Sequence, residues 1–361
     1  MLARHVRVFE EDHALAAVFQ HAVGDLRVAA ERAALEAFHP RRVRRPAAAP
    51  CQLVELLAGG AGKRLQPLTL NQAKPALPFV RRRRIIDFVL SNLYHSGFNQ
   101  LLVLTQYQPA SLHRHLQQYW QPLFARSGAL QLCQAPADAN QGTAGAVAHQ
   151  LSVIRDYRPD VIAVLSADHV YKMDYRQMLA FHLKQQAAVT VSAVAVPLSL
   201  ARQFGIFSTD EHHHIINFCE KPLSDIPTLA GRPGYALASM GNYLFDAQYL
   251  CQQLERLDLS CHHDFGHHLL PTLCEQQLAC VYDFSTNQLP GEQSLPHYWR
   301  DVGTLSAYFH SKLDIMQHPD WLDGPKQHWP ILAAGKQPLR YRIASAAFRR
   351  LPLQTHQPLY S

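Results

Sequence analysis

The chain has 361 residues, of which 48% are hydrophobic and 17% are charged, a composition that is typical of globular proteins and excludes a disordered chain. The formal net charge of +6 suits small anionic ligands, and the sequence lacks the aromatic-interleaved basic stripe of a nucleic-acid-binding protein. No apolar run approaches the roughly 20 residues that cross a bilayer, so we expect no membrane span.

The cysteine and histidine patterns indicate neither a disulfide framework nor a zinc site. The seven cysteines form no CxxC pair, and the 22 histidines follow neither an HExxH nor a zinc-finger spacing. We therefore predict reduced thiols in a cytoplasmic protein, with most histidines at the surface.

The first 50 residues differ in composition from the rest of the chain. The segment AVFQHAVGDLRVAAERAALEAF predicts one or two amphipathic helices, and PRRVRRPAAAP predicts a linker. We interpret residues 1–50 as an N-terminal extension, 51–315 as the main domain, and 316–361 as an irregular tail.

Short apolar runs alternate with helical patterns from residue 52 onward. Four runs predict strands: QLVELLAGG, NQLLVLTQY, VIAVLSADHVY and AAVTVSAVAVP. Three segments predict helices: IIDFVLSNLYHSGF, which closes at Gly97, then PASLHRHLQQYW and YRQMLAFHLKQQA. This alternation predicts an α/β fold with a mostly parallel sheet that is buried on both faces.

Residues 204–250 change to shorter pieces, FGIFSTDEHHHIINFCEKP and ASMGNYLFDAQYL, which predict a small antiparallel insertion beside the sheet. Beyond them HDFGHHLLPTLCEQQ predicts a helix and LACVYDFS a strand. The segment YWRDVGTLSAYFHSKLDIM ends the main domain with a further helix.

Three glycines follow the first predicted strand in LAGGAGKRL. Glycines at a strand end let backbone N–H groups approach phosphate oxygens, because no Cβ is in the way. The loop lacks the residues that a Walker A motif or a dinucleotide-binding fingerprint requires. Taken alone, Gly59, Gly60 and Gly62 form either a phosphate loop of another kind or a glycine-rich turn.

Charged residues at five further positions are candidates for chemistry, and each has a simpler explanation. Lys74, before a proline, could place a charge on a phosphate or lie exposed in a turn. Asp168, after a predicted strand, could hold Mg²⁺ or be a helix N-cap or turn residue, and Asp301 could hold Mg²⁺ or cap the helix that follows. Glu220 and Lys221 could bind a sugar phosphate or pair with each other at the surface.

The series of motifs resembles the ADP-glucose pyrophosphorylases, a branch of the sugar nucleotidyltransferases. The resemblance covers roughly residues 52–330 and depends on LAGGAGKRLQPLT, AKPALPF, RIIDFVLSN, LTQYQPASLHRHLQQYW, SADHVYKMDY, FCEKP, SMGNYLF, HDFGHHLLP and YWRDVGT. It implies a Rossmann-like, mostly parallel sheet with a small antiparallel insertion. It also implies transfer of the adenylyl group of ATP to glucose 1-phosphate, with Mg²⁺ as cofactor and pyrophosphate as the second product.

The resemblance also assigns roles to individual residues. It implies catalytic roles for Arg64, Lys74 and Asp168, and Mg²⁺ binding by Asp168 and Asp301. It implies nucleotide contacts from Ala58, Gly59, Gly60, Gly62, Gln106, Gly142 and Thr143, and substrate contacts from Tyr107, Glu220, Lys221 and Ser239.

Several positions depart from the family pattern. Ala167 replaces a glycine, so we expect its methyl group to crowd the metal site, and Gly145 replaces an acid. Asn71 and Gln72 replace a basic pair, which argues against activation by a glycolytic sugar phosphate. The RRRR run at residues 81–84 is either a site for an anionic allosteric effector or a solvated turn.

The family continues into a left-handed parallel β-helix that helps to build a homo-oligomer. The last residues of this chain show no hexapeptide repeat, and we expect an irregular tail in its place. The alternative to an active enzyme is a weakly active or inactive regulatory paralogue that pairs with a full-length subunit. Retention of Arg64, Lys74, Asp168, Lys221 and Asp301 favours the enzyme.

Overall fold

The computed structural model describes residues 50–134, 142–289, 297–324 and 328–334. The helices and linker predicted for the first 50 residues lie outside the described residues, except Pro50 at the end of the linker. Most of the predicted tail lies outside them as well.

Eleven strands in the described residues form one nine-stranded sheet and one two-stranded sheet. They are β1 (Gln52–Ala58), β2 (Gln100–Thr105), β3 (Ala129–Gln134), β4 (Val161–Ser166), β5 (His169–Tyr171), β6 (Val189–Pro197), β7 (Gly205–Thr209), β8 (Ile215–Glu220), β9 (Tyr235–Asp246), β10 (Ala279–Asp283) and β11 (Trp299–Asp301).

The large sheet has the strand order β10-β6-β9-β4-β1-β2-β3, and only β9 runs against the others on this path. The hairpin of β7 and β8 is attached to β9 by antiparallel pairing. β1 is an inner strand, paired in parallel with β2 and β4. The predicted α/β fold with a mostly parallel sheet and an antiparallel insertion is confirmed.

Helices cover both faces of the sheet. They are α1 (Ile86–Ser96), α2 (Ala110–His115), α3 (Gln121–Phe124), α4 (Gly142–Ala148), α5 (Leu151–Tyr157), α6 (Tyr175–Gln185), α7 (Leu198–Ala201), α8 (Ala247–Glu255), α9 (Leu270–Glu275), α10 (Leu305–Gln317) and α11 (Asp320–Asp323). Single π-helical turns, Leu116–Trp120 and Phe265–Leu269, join α2 to α3 and precede α9.

The apolar periodicity explains where these elements pack. β1 is buried along nearly its whole length because both faces of the sheet are covered, and its side chains alternate between two apolar clusters. α1 ends where Gly97, at φ +75°, adopts the left-handed conformation and closes the C-cap, as predicted. A third cluster, which includes Leu65, Phe88 and Val302, packs beneath the glycine-rich loop.

Two sequence predictions about strands were wrong. VIAVLSADHVY forms two strands, β4 and β5, which belong to different sheets and are separated by a turn at Ala167 and Asp168. ASMGNYLF belongs to β9, a 12-residue strand inside the main sheet between β6 and β4, and not to the small insertion. Its apolar sequence pattern is compatible with the main sheet and with the insertion, because a strand covered on both faces needs apolar side chains whether its pairing is parallel or antiparallel.

The described part of the tail packs on α1. Trp321, Trp329 and Ile331 are buried, and the indole N–H of Trp329 donates to Asn92 at 3.1 Å. The domain boundary predicted near residue 315 stays a prediction. Among the described residues, no helix has the length and apolarity that a membrane crossing requires.

Candidate active site

A cavity of about 290 Å³ opens at the carboxyl end of β1. This is the edge of an open α/β sheet where ligands usually bind. Its walls are formed by Leu57, Ala58, Gly60, Gly62, Lys63, Arg64, Lys74, Pro75, Asp168 and Gly303. Six of these ten residues were assigned to the site from the sequence: Ala58, Gly60, Gly62, Arg64, Lys74 and Asp168.

The glycine-rich loop is a fixed turn that also lines the cavity. Gly62 has φ +59°, and its carbonyl accepts hydrogen bonds from the Thr69 hydroxyl at 2.9 Å and from Leu65 N at 2.8 Å. A Cβ on Gly62 would lie 3.1 Å from Thr69 Cγ2 and 3.2 Å from Lys74 Cβ. The two readings of this loop are therefore compatible, since a tight turn presents its backbone to the cavity.

Lys74 is buried between two carboxylates. It begins a single 3₁₀ turn, Lys74–Ala76, in which Pro75 fixes the backbone. Its Nζ lies 2.8 Å from Asp168 Oδ2 and 3.0 Å from Asp301 Oδ1, and its side chain is only 8% exposed. Burial lowers the pKa of Lys74, but the two carboxylates more than offset this effect, so the pKa is raised and the ammonium stays charged.

Asp168 lies in the turn between β4 and β5. Its carboxylate accepts a hydrogen bond from the Ser166 hydroxyl and lies 3.5 Å from His169 Nε2. Burial opposes its charge, but Lys74, His169 and the hydrogen bonds from Lys74 and Ser166 hold the pKa of Asp168 well below its usual range. Asp168 therefore carries a negative charge at the cavity and does not cap a helix.

Asp301 reaches the same place from β11. The antiparallel register sets Asp301 opposite His169, which brings its carboxylate beside Lys74. The N-cap of the following helix is Thr304, whose hydroxyl accepts from Ala307 N at 3.1 Å, so the capping explanation for Asp301 was wrong.

Gly303 lies where Arg64 and Asp301 converge. A Cβ on Gly303 would lie 2.9 Å from Arg64 Nη2 and 2.9 Å from Asp301 Oδ2, closer than real Cβ contacts allow. The absent side chain therefore leaves room for the exposed guanidinium of Arg64 at the cavity. Sequence reasoning missed Gly303, although it stands in the quoted motif YWRDVGT.

Gly59 and Gln106, both predicted to contact the nucleotide, lie next to each other. A Cβ on Gly59 would lie 3.3 Å from Gln106 Cβ, so the glycine lets the ends of β1 and β2 approach closely. Tyr107 lies one residue further along, where its hydroxyl donates to the carbonyl of Leu70 at 3.3 Å.

Gly142 and Thr143, also predicted to contact the nucleotide, begin α4 against the loop that carries Asp264. The backbone N–H and the hydroxyl of Thr143 both donate to Asp264 Oδ1, at 2.8 and 2.9 Å. Gly142 has φ +73°, and a Cβ there would lie 2.4 Å from the His263 carbonyl. Burial is the largest single effect and opposes the charge of Asp264, but the two hydrogen bonds from Thr143 together with the nearby His262 and His267 lower its pKa.

Two of the predicted sugar-phosphate residues, Glu220 and Ser239, lie beside Tyr243. The charges of Glu220 and Asp264 act on the buried phenol of Tyr243, and Ser239 forms a hydrogen bond with it. Burial first, and then Glu220, raises the pKa of Tyr243. Glu220 and Lys221 pair with each other, as their simpler explanation proposed, and the Lys221 side chain is 57% exposed.

The carboxylates beside Lys74 suit a hard divalent cation such as Mg²⁺. Asp168 and Asp301 offer carboxylate oxygens, and Mg²⁺ is usually held by one or two carboxylates together with phosphate oxygens and water. In the described residues no three His, Cys, Asp or Glu side chains converge to hold a metal alone. The two carboxylates therefore fit a metal that arrives with a phosphate substrate.

The four arginines at residues 81–84 do not form one open patch. Arg83 is buried, pairs with Asp323 at 3.0 Å and donates to the Ile331 carbonyl at 2.7 Å. Arg84 donates to the carbonyls of Ala76 and Ser111 and to the Ser111 hydroxyl. Arg81 also reaches Asp323, at 3.3 Å, whereas neither Arg82 nor Arg84 forms an ion pair with a described residue.

Ala167 and Gly145 do not line the cavity. The methyl group of Ala167 is fully buried in the apolar cluster around β1, so the crowding of the metal site that we expected is not observed. Gly145 is buried inside α4.

Comparison with known proteins agrees with this geometry. The family model for nucleotidyl transferases matches residues 55–318. The chain belongs to this family. It is 41% identical over 286 residues to a glucose-1-phosphate adenylyltransferase of Anaeromyxobacter dehalogenans, covering 77% of this chain and 69% of the relative.

Further relatives bear the same name. The chain is 41% identical to that of Thermodesulfovibrio yellowstonii, over 81% of this chain and 72% of the relative. It is 44% identical to that of a Parafrankia species, over 76% of this chain and 68% of the relative. The resemblance to ADP-glucose pyrophosphorylases is thereby confirmed for this nucleotidyl transferase.

Proposed function

We propose that this chain transfers the adenylyl group of ATP to glucose 1-phosphate and releases pyrophosphate, producing ADP-glucose. One observation carries the proposal: Lys74, Asp168 and Asp301 converge beside a glycine-lined cavity at the carboxyl end of β1. The relatives named glucose-1-phosphate adenylyltransferase, at about 41% identity, supply the substrate class.

The reaction joins two anions, so the site has to offset their repulsion. A phosphate oxygen of glucose 1-phosphate attacks the α-phosphorus of ATP, and the bond from that phosphorus to the bridging oxygen of the pyrophosphate breaks. No covalent enzyme intermediate is needed, and catalysis depends on positioning and charge. Lys74 and Arg64, two of the three cations that line the cavity, can stabilise the departing pyrophosphate.

The remaining predicted residues orient the two substrates in this proposal. The backbone of Ala58, Gly59, Gly60 and Gly62 holds the triphosphate, with Gln106, Gly142 and Thr143 toward the nucleoside. Glu220, Lys221, Ser239 and Tyr107 hold glucose 1-phosphate. Asp168 and Asp301 would hold Mg²⁺, which would supply further neutralisation of phosphate charge.

The product suggests a metabolic role, and the free cysteines suggest a cellular location. ADP-glucose is a glucosyl donor, so we propose a role in the synthesis of glycogen or a related α-glucan. All seven cysteines are free, which suits a reducing compartment, and we propose a cytoplasmic location. Assembly into a homo-oligomer and control by an anionic effector stay predictions.

A pyrophosphate-release assay tests the proposal. The purified full chain is supplied with Mg²⁺ and a panel of nucleoside triphosphates and sugar 1-phosphates. We expect turnover that requires Mg²⁺ and is highest with ATP and glucose 1-phosphate. A folded chain that turns over no member of the panel would refute the activity.

The alternative is a regulatory paralogue that is inactive alone. The ion pairs of Lys74 with Asp168 and Asp301 speak against it, because a subunit without catalysis has no need to keep a buried lysine between two carboxylates. Co-purification with a longer homologous subunit, together with activity only in that complex, would favour the paralogue.

A further inference from the structure

The turn that carries Asp168 links the two sheets. β4 ends at Ser166 in the nine-stranded sheet, and β5 begins at His169 in the two-stranded sheet. Pairing with β11 sets His169 opposite Asp301. The distance between the two aspartates therefore depends on how the segment from Ser166 to Tyr171 is held.

The side chain of Asn242 holds both ends of this segment. Asn242 is fully buried in β9, and its Oδ1 accepts a hydrogen bond from Ser166 N at 3.3 Å. Its Nδ2 donates to the Tyr171 hydroxyl at 3.1 Å. The antiparallel ladder of β4 and β9 ends at Val164 and Tyr243, so the asparagine amide supplies an acceptor just beyond the ladder.

A bulge in β9 brings Asn242 to this position. The register of β9 on β6 shifts between Val191 and Ala193, and Gly241, within the shifted stretch, has φ +67°. A Cβ on Gly241 would lie 3.7 Å from His169 Cε1, so β9 passes in contact with the turn. Bulges beside active sites commonly redirect a side chain in this way.

A second buried asparagine holds the same segment from α1. Asn92 Nδ2 donates to the Tyr171 carbonyl at 3.1 Å, and its Oδ1 accepts from Met173 N at 3.2 Å. The Tyr171 hydroxyl also contacts the hydroxyl of Tyr175. Tyr171 is therefore fixed at its backbone by one asparagine and at its phenol by the other.

We propose that Asn242 is a positioning residue for nucleotidyl transfer, because it fixes the turn on which Asp168 meets Lys74 and Asp301. The inference rests on the function proposed above. Asn242 itself does not line the cavity, so it acts through Ser166 and Asp168 and not on the substrates.

The test replaces Asn242 with leucine, which has a similar volume and makes neither hydrogen bond. We expect kcat for ADP-glucose formation to fall about tenfold, while both KM values stay within about twofold, because the substrates still bind. In the full chain without ligands, hydrogen–deuterium exchange of the backbone at residues 166–173 should quicken about fivefold or more.

Asn287→Leu is the matched control. Asn287 is also a buried asparagine, and its side chain makes three hydrogen bonds. It accepts one from Asp174 N and donates two, to the Asp174 carbonyl and the Tyr282 hydroxyl. We expect a lower Tm from this variant, with kcat within about twofold of the unmodified chain.

The outcomes separate this inference from the proposed function. If the unmodified chain shows no turnover, the proposed function is refuted. Comparing hydrogen exchange at residues 166–173 in the unmodified chain and in Asn242→Leu would still show whether Asn242 fixes the turn. In an active chain, an unchanged kcat for a folded Asn242→Leu variant, or an equal loss in the Asn287→Leu control, would overturn the inference. If Asn242→Leu does not fold, Tyr171→Phe is the second test, because it removes the hydroxyl that accepts from Asn242. Unchanged kcat and unchanged hydrogen exchange at residues 166–173 in that variant would overturn the inference.

Discussion

The buried Lys74 and the partly exposed Asp168 form an ion pair, with Nζ and Oδ2 only 2.8 Å apart. Each residue alone could have been a surface lysine or a turn aspartate, and only the fold joins them. A buried lysine is stable in this form because its charge is compensated by Asp168 and also by Asp301, at 3.0 Å. The site thus keeps fixed opposite charges where a metal and a triphosphate would meet.

Substituting Lys74 with methionine should reduce kcat on the order of 100-fold or more, because one preorganised cation beside the departing pyrophosphate is lost. Steady-state kinetics with ATP and glucose 1-phosphate measure this loss. Lys184→Met is the control, since Lys184 is exposed on α6 away from the cavity. Turnover of the Lys74 variant within threefold of the control would exclude Lys74 from catalysis.

Glu55 should make folding stability depend on pH. It lies fully buried in β1, and neither carboxylate oxygen has a hydrogen-bond partner among the described residues. Burial raises the pKa of Glu55 well above its usual range, whereas in the unfolded chain the group ionises near pH ~4.3. Its contribution to stability is therefore complete below that pH and declines as pH rises, by about 1.4 kcal/mol per unit until the folded pKa is passed.

Denaturant unfolding of Glu55→Leu at pH 5.5, 6.5 and 7.5 checks this slope. The variant's advantage in unfolding free energy over the unmodified chain should grow with pH. The control, Glu211→Gln, alters a carboxylate whose side chain is 87% exposed and should give no such trend. An advantage for Glu55→Leu that is constant with pH would contradict a buried protonated carboxyl.

Asp264→Ala should destabilise the start of α4. The substitution removes the acceptor for both the N–H and the hydroxyl of Thr143, and losing a helix cap costs about 0.5–2 kcal/mol. Thermal and urea unfolding report the change, and Asp264→Asn, which keeps an acceptor oxygen, should recover most of it. Equal stability of the alanine and asparagine variants would show that the cap contributes nothing.

Arg83→Met and Arg82→Met should behave differently although the residues are adjacent. Arg83 is buried, and its removal breaks both the pair with Asp323 and the hydrogen bond to the Ile331 carbonyl, so it should cost about 1.5–3 kcal/mol. Arg82 is exposed, so its substitution should lower the free energy of unfolding by less than about 0.5 kcal/mol. Similar unfolding midpoints for the two variants would mean that Arg83 is not structural.

Much of the fold could be predicted from the sequence, because apolar runs and helical periodicity are local signals. The strand before the glycine loop and the helix that closes at Gly97 are both present. The assignment of β9 to the insertion failed for a physical reason. A strand that is buried on both faces has the same apolar sequence pattern whether its neighbours are parallel or antiparallel. The break between β4 and β5 was missed because both halves are apolar and no Gly or Pro separates them.

The candidate site was partly predictable in the same sense. The order of motifs identified Lys74, Asp168 and Asp301, but only the register of β5 with β11 brings the aspartates together. The roles of Asn242 and Asp264 depend on contacts between distant segments, which composition and spacing do not reveal.

The most direct test of the account is the formation of ADP-glucose by the purified full chain and by its Asp168→Asn variant. Product identified by chromatography, from ATP, glucose 1-phosphate and Mg²⁺, should appear with the unmodified chain. It should fall on the order of 1000-fold in the variant, whose circular dichroism shows that the fold is intact. No ADP-glucose from the folded unmodified chain, or equal rates from both proteins, would contradict the account.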